Sequence, residues 1–171
     1  MINFECLHCG RCCERIIIDT EYGINVGMYL KPSEIKLFRR FPSAVLPYIG
    51  LAKSGRSKPK KIVCYQLAVE PCPLYDKTTK TCTQYDSRPI ACRAYPFDLS
   101  GGRLTAEGHC KWYEKVKNTF DVGKTRINAP EAIQYAYKIH NIFMRYEHPS
   151  NLPVVMIFDV RKKKWVIVEK S

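Results

Sequence analysis

The sequence predicts an α+β fold: a small, loop-rich domain with short strands and helices, stapled by a metal ion or cluster, and followed by a helix and a β-hairpin. Three observations lead there. Four of the nine cysteines fall between Cys6 and Cys13, and thiolates are soft, charge-donating ligands. The apolar runs are short and punctuated by glycine and proline, as in a domain of many small elements. A strong helix start at Asn128 is followed by two β-branched runs around a basic turn. The expected division is a cysteine-cluster domain over residues 1–120 and a helix with hairpin over residues 121–171.

Taken in order, Gly10 follows the second cysteine and suits a positive-φ turn that wraps sulfurs around a centre. Ile16-Ile17-Ile18 reads as a short buried strand. Pro32 suits the first turn of a helix reaching about Phe41, although Lys31 is a poor N-cap. Ser43 to Lys53 reads as a further short helix interrupted by Pro47. Ser54 to Lys61 is a Gly/Ser/Lys/Pro loop, and Ile62 to Leu67 a strand. A hairpin from Cys72 to Cys82 would bring those two cysteines to neighbouring positions. Gly101-Gly102 marks a turn, and His109-Cys110 opens a helix to about Phe120. Asn128-Ala129-Pro130-Glu131 carries a cap, a first-turn proline and a capping-box glutamate. That helix should run to about Tyr146, with Pro149 and Pro153 ending it. Val154 to Val160 and Trp165 to Val168 then form the hairpin.

Composition narrows the setting. The start has no basic, then apolar, leader, and no apolar run is long enough to span a bilayer. The expectation is a cytoplasmic protein that does not enter the membrane, in a compartment where disulfides rarely persist. Nine cysteines there read as ligands. Lys plus Arg number 28 and Asp plus Glu 16, a formal +12. Part of that excess can balance anionic thiolates, with Arg11, Arg15, Arg88 and Arg93 beside cysteines. The rest can face water, an acidic partner or nucleic acid.

Cys64 lies in an apolar strand and reads as core. The remaining eight, Cys6, Cys9, Cys12, Cys13, Cys72, Cys82, Cys92 and Cys110, are the candidate metal ligands. Cys12 and Cys13 project about 100° apart on a helix, which suggests that the two belong to different centres or that one of them supports a ligand without binding the metal itself. Arg88 and Arg93 are candidates to donate hydrogen bonds to cluster sulfur, against a plain salt bridge to Asp86. Tyr85, Tyr95, Pro89, Pro96 and Phe97 read as the dry wall of the site, and His8 and His109 as spare ligands.

Cys6-Leu7-His8-Cys9-Gly10-Arg11-Cys12-Cys13 resembles the C-x2-C-x2-C-C signature of the YkgJ-type cysteine-cluster family, described as a zinc- or iron-chelating domain. The stretch from Cys72-Pro73-Leu74 through Cys82, Tyr85, Arg88-Pro89 and Cys92-Arg93-Ala94-Tyr95-Pro96 resembles the second half of that pattern, and Cys110 matches its later cysteine. The likeness spans Phe4 to Trp112. It implies a metal or iron–sulfur centre. Flagellin lysine methylases are similar in the second half alone, which makes a protein-modifying enzyme a further alternative.

One tight cluster followed by widely spaced single cysteines is unlike two zinc-binding C-x2-C pairs. The expectation is therefore an iron–sulfur cluster, [4Fe–4S], in a redox or electron-transfer protein, with Fe–S oxidoreductase as the candidate activity and an unidentified redox or protein partner. The alternative is a structural zinc module presenting a basic surface to nucleic acid, ribosome or protein.

Overall fold

The computed structural model describes residues 2–20, 22–100, 103–106, 108–119, 127–147 and 154–168. The chain alternates small elements: β1 (Ile2–Asn3), α1 (Arg11–Glu14), β2 (Ile18–Asp19), β3 (Asn25–Val26), β4 (Met28–Leu30), β5 (Val45–Ala52), β6 (Lys61–Leu67), β7 (Tyr75–Asp76), β8 (Thr81–Cys82), α2 (Ile90–Ala94), β9 (Phe97–Ser100), β10 (Arg103–Ala106), α3 (Lys111–Val116), β11 (Ile127–Asn128), α4 (Pro130–Glu147), β12 (Val154–Asp159) and β13 (Lys164–Ile167). Three 3-10 helices, Pro32–Phe38, Pro42–Ala44 and Tyr85–Ser87, complete it. The class is α+β, as the sequence predicts. The Gly101-Gly102 turn and the prolines Pro149 and Pro153 lie outside the described residues; the helix expected to reach about Phe120 ends earlier, at Val116, with Lys117 as its C-cap. Two compact units emerge, Met1–Glu14 with Leu74–Met144, and Arg15–Pro73 with Arg145–Ser171.

In the first unit, β1 pairs in parallel with β11, Ile2 opposite Ile127 and Asn3 opposite Asn128. The ladder continues as the Phe4 N–H donates to the Asn128 carbonyl at 3.2 Å. Phe4 then meets Phe97 and Trp112 edge-on, at 5.3 and 5.1 Å between ring centroids. The Trp112 indole N–H donates to the Asn3 carbonyl at 3.1 Å. These contacts anchor the chain immediately before the first cysteine. Asn128 does not cap α4: it belongs to the ladder, and its amide donates to the Asn3 side chain. The first helical bond starts at the Ala129 carbonyl.

The second unit holds a five-stranded antiparallel sheet in the order β13-β12-β5-β6-β4. The stretch from Ser43 to Lys53 is strand rather than helix. Pro47 cannot serve a helix interior, whereas the β5–β6 register shifts between Pro47 and Ile49 and absorbs the missing donor. The turn starting at Pro32 is a 3-10 helix ending at Phe38, with the Glu34 carboxylate accepting from the Lys31 N–H at 2.8 Å. The Ile16–Ile18 run is only partly strand, because the N–H groups of Ile16 and Ile17 donate to the Glu70 carboxylate at 2.6 and 2.7 Å. Cys64 is buried in β6, and burial pushes its thiol up to about 12, as befits a core residue.

Two buried polar side chains tie the sheet. The Gln66 amide accepts from the Gly27 N–H and donates to the Pro47 and Phe158 carbonyls, at 2.6, 2.7 and 2.9 Å. The Asp159 carboxylate accepts from the N–H groups of Asn25, Arg161 and Lys162. Burial opposes its ionisation, but the donors outweigh burial and hold its pKa below the usual carboxylate range. The folded pKa is therefore below the unfolded one. The resulting stability is present above about pH 4 and is lost as pH falls through the folded value. Asp159→Asn should cost about 1–3 kcal/mol at neutral pH for each donor left unsatisfied. It should also flatten the acid limb of a stability-versus-pH curve measured by urea unfolding. Among the described residues no helix is long and apolar enough to cross a membrane.

Candidate metal centre

All nine cysteines are free thiols. The first four sit on one turn whose shape follows from Gly10. Its φ is +74°, the left-handed value the sequence anticipates. From there the Gly10 carbonyl accepts from the N–H groups of Cys13 and Glu14, at 2.8 and 3.1 Å, and starts α1. A Cβ at position 10 would collide with the Tyr75 hydroxyl and ring. Gly10→Ala combines left-handed strain with that clash. It should destabilise the first unit by about 1–3 kcal/mol, read as a lower urea midpoint.

Cys12 and Cys13 are consecutive residues of α1. Their thiols hydrogen-bond each other; this bond draws the Cys12 pKa down to about 7, with burial opposing the fall and the nearby Arg88 guanidinium adding to it. Cys13 and Cys9 lie within electrostatic reach of the Tyr75 phenol, whose pKa is raised by burial and by Glu14. The Tyr75 hydroxyl donates to the Glu14 carboxylate at 3.5 Å. The Cys6 side chain bonds the Tyr85 hydroxyl. Cys110, just ahead of α3, is buried, and burial raises its pKa, with Cys9 and Cys12 close enough to add to the rise. Cys9 and Cys12 thus lie within electrostatic reach of Cys110, with Arg88 near Cys12 and, at Tyr85, near Cys6.

The flanking residues have defined tasks. Arg88 stacks its guanidinium 3.7 Å from the Tyr85 ring centroid, with His8 on the same ring at 4.9 Å. Its Nε–H donates to the Tyr85 carbonyl at 2.8 Å. Arg93 braces the turn: it donates to the Arg88 and Asp86 carbonyls, both at 2.9 Å, and to the Tyr135 hydroxyl at 3.1 Å. Its link to Asp86 is therefore through the main chain, not a carboxylate salt bridge. Arg11 pairs with Glu114 at 2.6 Å in an exposed contact, which links α1 to α3.

Three sequence-derived positions stand differently. Cys82 lies across the β7–β8 ladder from Tyr75, so the residue opposite it is a tyrosine and not Cys72. Cys92 is half-buried on α2, inside the Arg88–Arg93 brace. Cys72 is half-buried and belongs to the second unit. Tyr75 and Glu14 had no sequence signal as site residues; Glu14 directly follows Cys13, and only the fold brings Tyr75 to Cys9 and Cys13.

The donor set is right for a soft metal: free thiols, one already acidic, with a cation beside them. Among the described residues, no group of three His, Cys, Asp or Glu side chains is drawn together closely enough to hold an ion in the present rotamers.

Comparison with known proteins agrees with this chemistry. The uncharacterized protein MJ0661 of Methanocaldococcus jannaschii is 28% identical over 106 residues, covering 61% of this chain and 51% of the relative. The chain thus spans about half the length of that curated relative. No solved structure matches. The model of the CxxCxxCC family, described as a "putative zinc- or iron-chelating domain", matches residues 5–121. With its cysteine signature on a single turn and a family match over most of its length, the chain belongs to the CxxCxxCC family.

Proposed function

We propose that this member of a metal-chelating family carries an iron–sulfur cluster of the [4Fe–4S] type and acts in electron transfer or redox chemistry. The observation that carries the reading is the approach of Cys110 to Cys9 and Cys12 beside Arg88. Cys6, Cys9, Cys12, Cys13 and Cys110 would hold the group, with Cys82 and Cys92 in the same unit as further donors. When bound, such a cluster supplies one-electron transfer. Arg88 offsets the negative charge of the thiolates and Arg93 keeps Arg88 in place. The Tyr85 hydroxyl is placed to donate to the Cys6 sulfur, a contact of the kind that tunes cluster potential.

Anaerobic purification tests the reading. A brown protein with about four iron and four acid-labile sulfide per chain supports it. A colourless protein with stoichiometric zinc would replace it with a structural zinc module, for which the same thiols also suit.

A further inference from the structure

The positive charge is not spread evenly. The second unit contains 16 basic and 7 acidic residues, whereas the first contains 12 and 9. Nine of the twelve net charges therefore sit in the unit that lacks the cysteine turn, and charge compensation at the thiols does not account for them.

Within that unit the charge gathers at the two ends of the five-stranded sheet. At one end, the loop joining β5 to β6 and the first residue of β6 carry Lys53, Arg56, Lys58, Lys60 and Lys61, all exposed and with no carboxylate among them. Among the described residues none of the five is in an ion pair. The loop is held in shape. The Lys60 N–H donates to the Leu51 carbonyl at 2.9 Å, and Ser54 and Ser57 exchange four hydrogen bonds. At the other end, the β12–β13 turn exposes Arg161, Lys163 and Lys164, while Lys162 is engaged with Asp159 and the Gly23 carbonyl. The register puts these ends apart: Val154 faces Ala52 near the loop, and Asp159 faces Lys164 at the turn. At about 3.3 Å per residue the two clusters are about 20–25 Å apart.

We propose that this sheet binds the phosphodiester backbone of nucleic acid, with the β5–β6 loop as the main contact and the β12–β13 turn as a second. Cations uninterrupted by acids match a uniformly charged polymer rather than a protein surface of mixed sign. The loop has no large apolar side chain to insert into lipid, which a membrane-surface anchor needs. Ser54 and Ser57 add hydroxyls of the kind that contact phosphate. The binding is read out by charge and length, not sequence.

Fluorescence anisotropy of the full chain with labelled single-stranded RNA or DNA tests the proposal. A strand of about 16 nucleotides should bind more tightly than one of about 4, which cannot bridge both ends. With four phosphates neutralised, affinity for the single strand should fall about 50-fold between 50 and 200 mM salt. Lys58→Glu with Lys60→Glu and Lys61→Glu should weaken binding at least ~10-fold at 50 mM salt and lower the salt slope by roughly 0.7 for each phosphate no longer neutralised. Lys115→Glu with Lys117→Glu, exposed positions of the first unit, should leave it unchanged. Far-UV circular dichroism checks that both variants fold. Absence of binding at 50 mM salt, an equal effect of the two variants, or tighter capture by anionic vesicles than by the long strand would overturn the proposal.

Discussion

Replacing Cys110 with serine is expected to lower bound metal at least ~10-fold and to loosen the first unit. In the proposed function Cys110 would close the site from outside the cysteine turn: it comes from the entrance to α3, while Cys9 and Cys12 come from the turn at Gly10. A centre bridging these segments fixes them to one another. Structural thiolate sites contribute ~10–16 kcal/mol of apparent binding energy, far above any single side-chain contact here. Serine keeps the size and removes the soft donor. Metal analysis after anaerobic purification measures the first effect. Amide exchange measures the second, with protection reduced around Phe4–Glu14 and Lys111–Val116 and kept in the five-stranded sheet. Cys64→Ser provides the control, because that buried thiol should cost stability without costing metal. Wild-type metal content in the Cys110 variant would remove this residue from the site.

Trp112→Ala should cost about 3–5 kcal/mol, the range for deleting a buried large aromatic. The indole is 6% exposed, meets Phe4 and Phe97 edge-on, and donates to the Asn3 carbonyl. Removing it leaves a cavity and an orphaned acceptor. Trp112→Phe separates the two, retaining a ring and giving up only the hydrogen bond, for about 1 kcal/mol. The consequence reaches the thiols, because Phe4 precedes Cys6 by two positions and leads the chain into the cysteine turn. Urea unfolding of the metal-free protein reads the stability effect, and metal affinity of each variant reads its transmission to the turn. A destabilisation below about 1 kcal/mol for the alanine variant would show that the aromatic contacts do not anchor the N-terminal strand.

How much of this was legible in advance divides along one physical line. The cysteine signature, the positive φ at Gly10, the helix over Pro130–Glu147 and the hairpin of Val154–Asp159 with Lys164–Ile167 follow from local pattern. A turn needing glycine, a first-turn proline and alternating β-branched residues act over a few neighbouring positions. Val45–Ala52 was beyond that reach, since apolar residues around a proline suit a short helix until partner strands on both sides claim the backbone. So was Asn128, taken from its capping role by a strand from the other end of the chain.

The site divides in the same way. Residue type alone determined that this protein offers thiols to a soft metal and carries a large excess of positive charge. Only tertiary structure decided that Tyr75 stands opposite Cys82, that Arg93 braces Arg88 through carbonyls, and that Cys110 comes to Cys9 and Cys12. It also decided that most of the net charge gathers in the unit without the cysteine turn. Ligand chemistry resides in the side chain and is carried by the residue itself. Proximity between distant residues is a property of how the chain closes its loops, and no short window of sequence contains it.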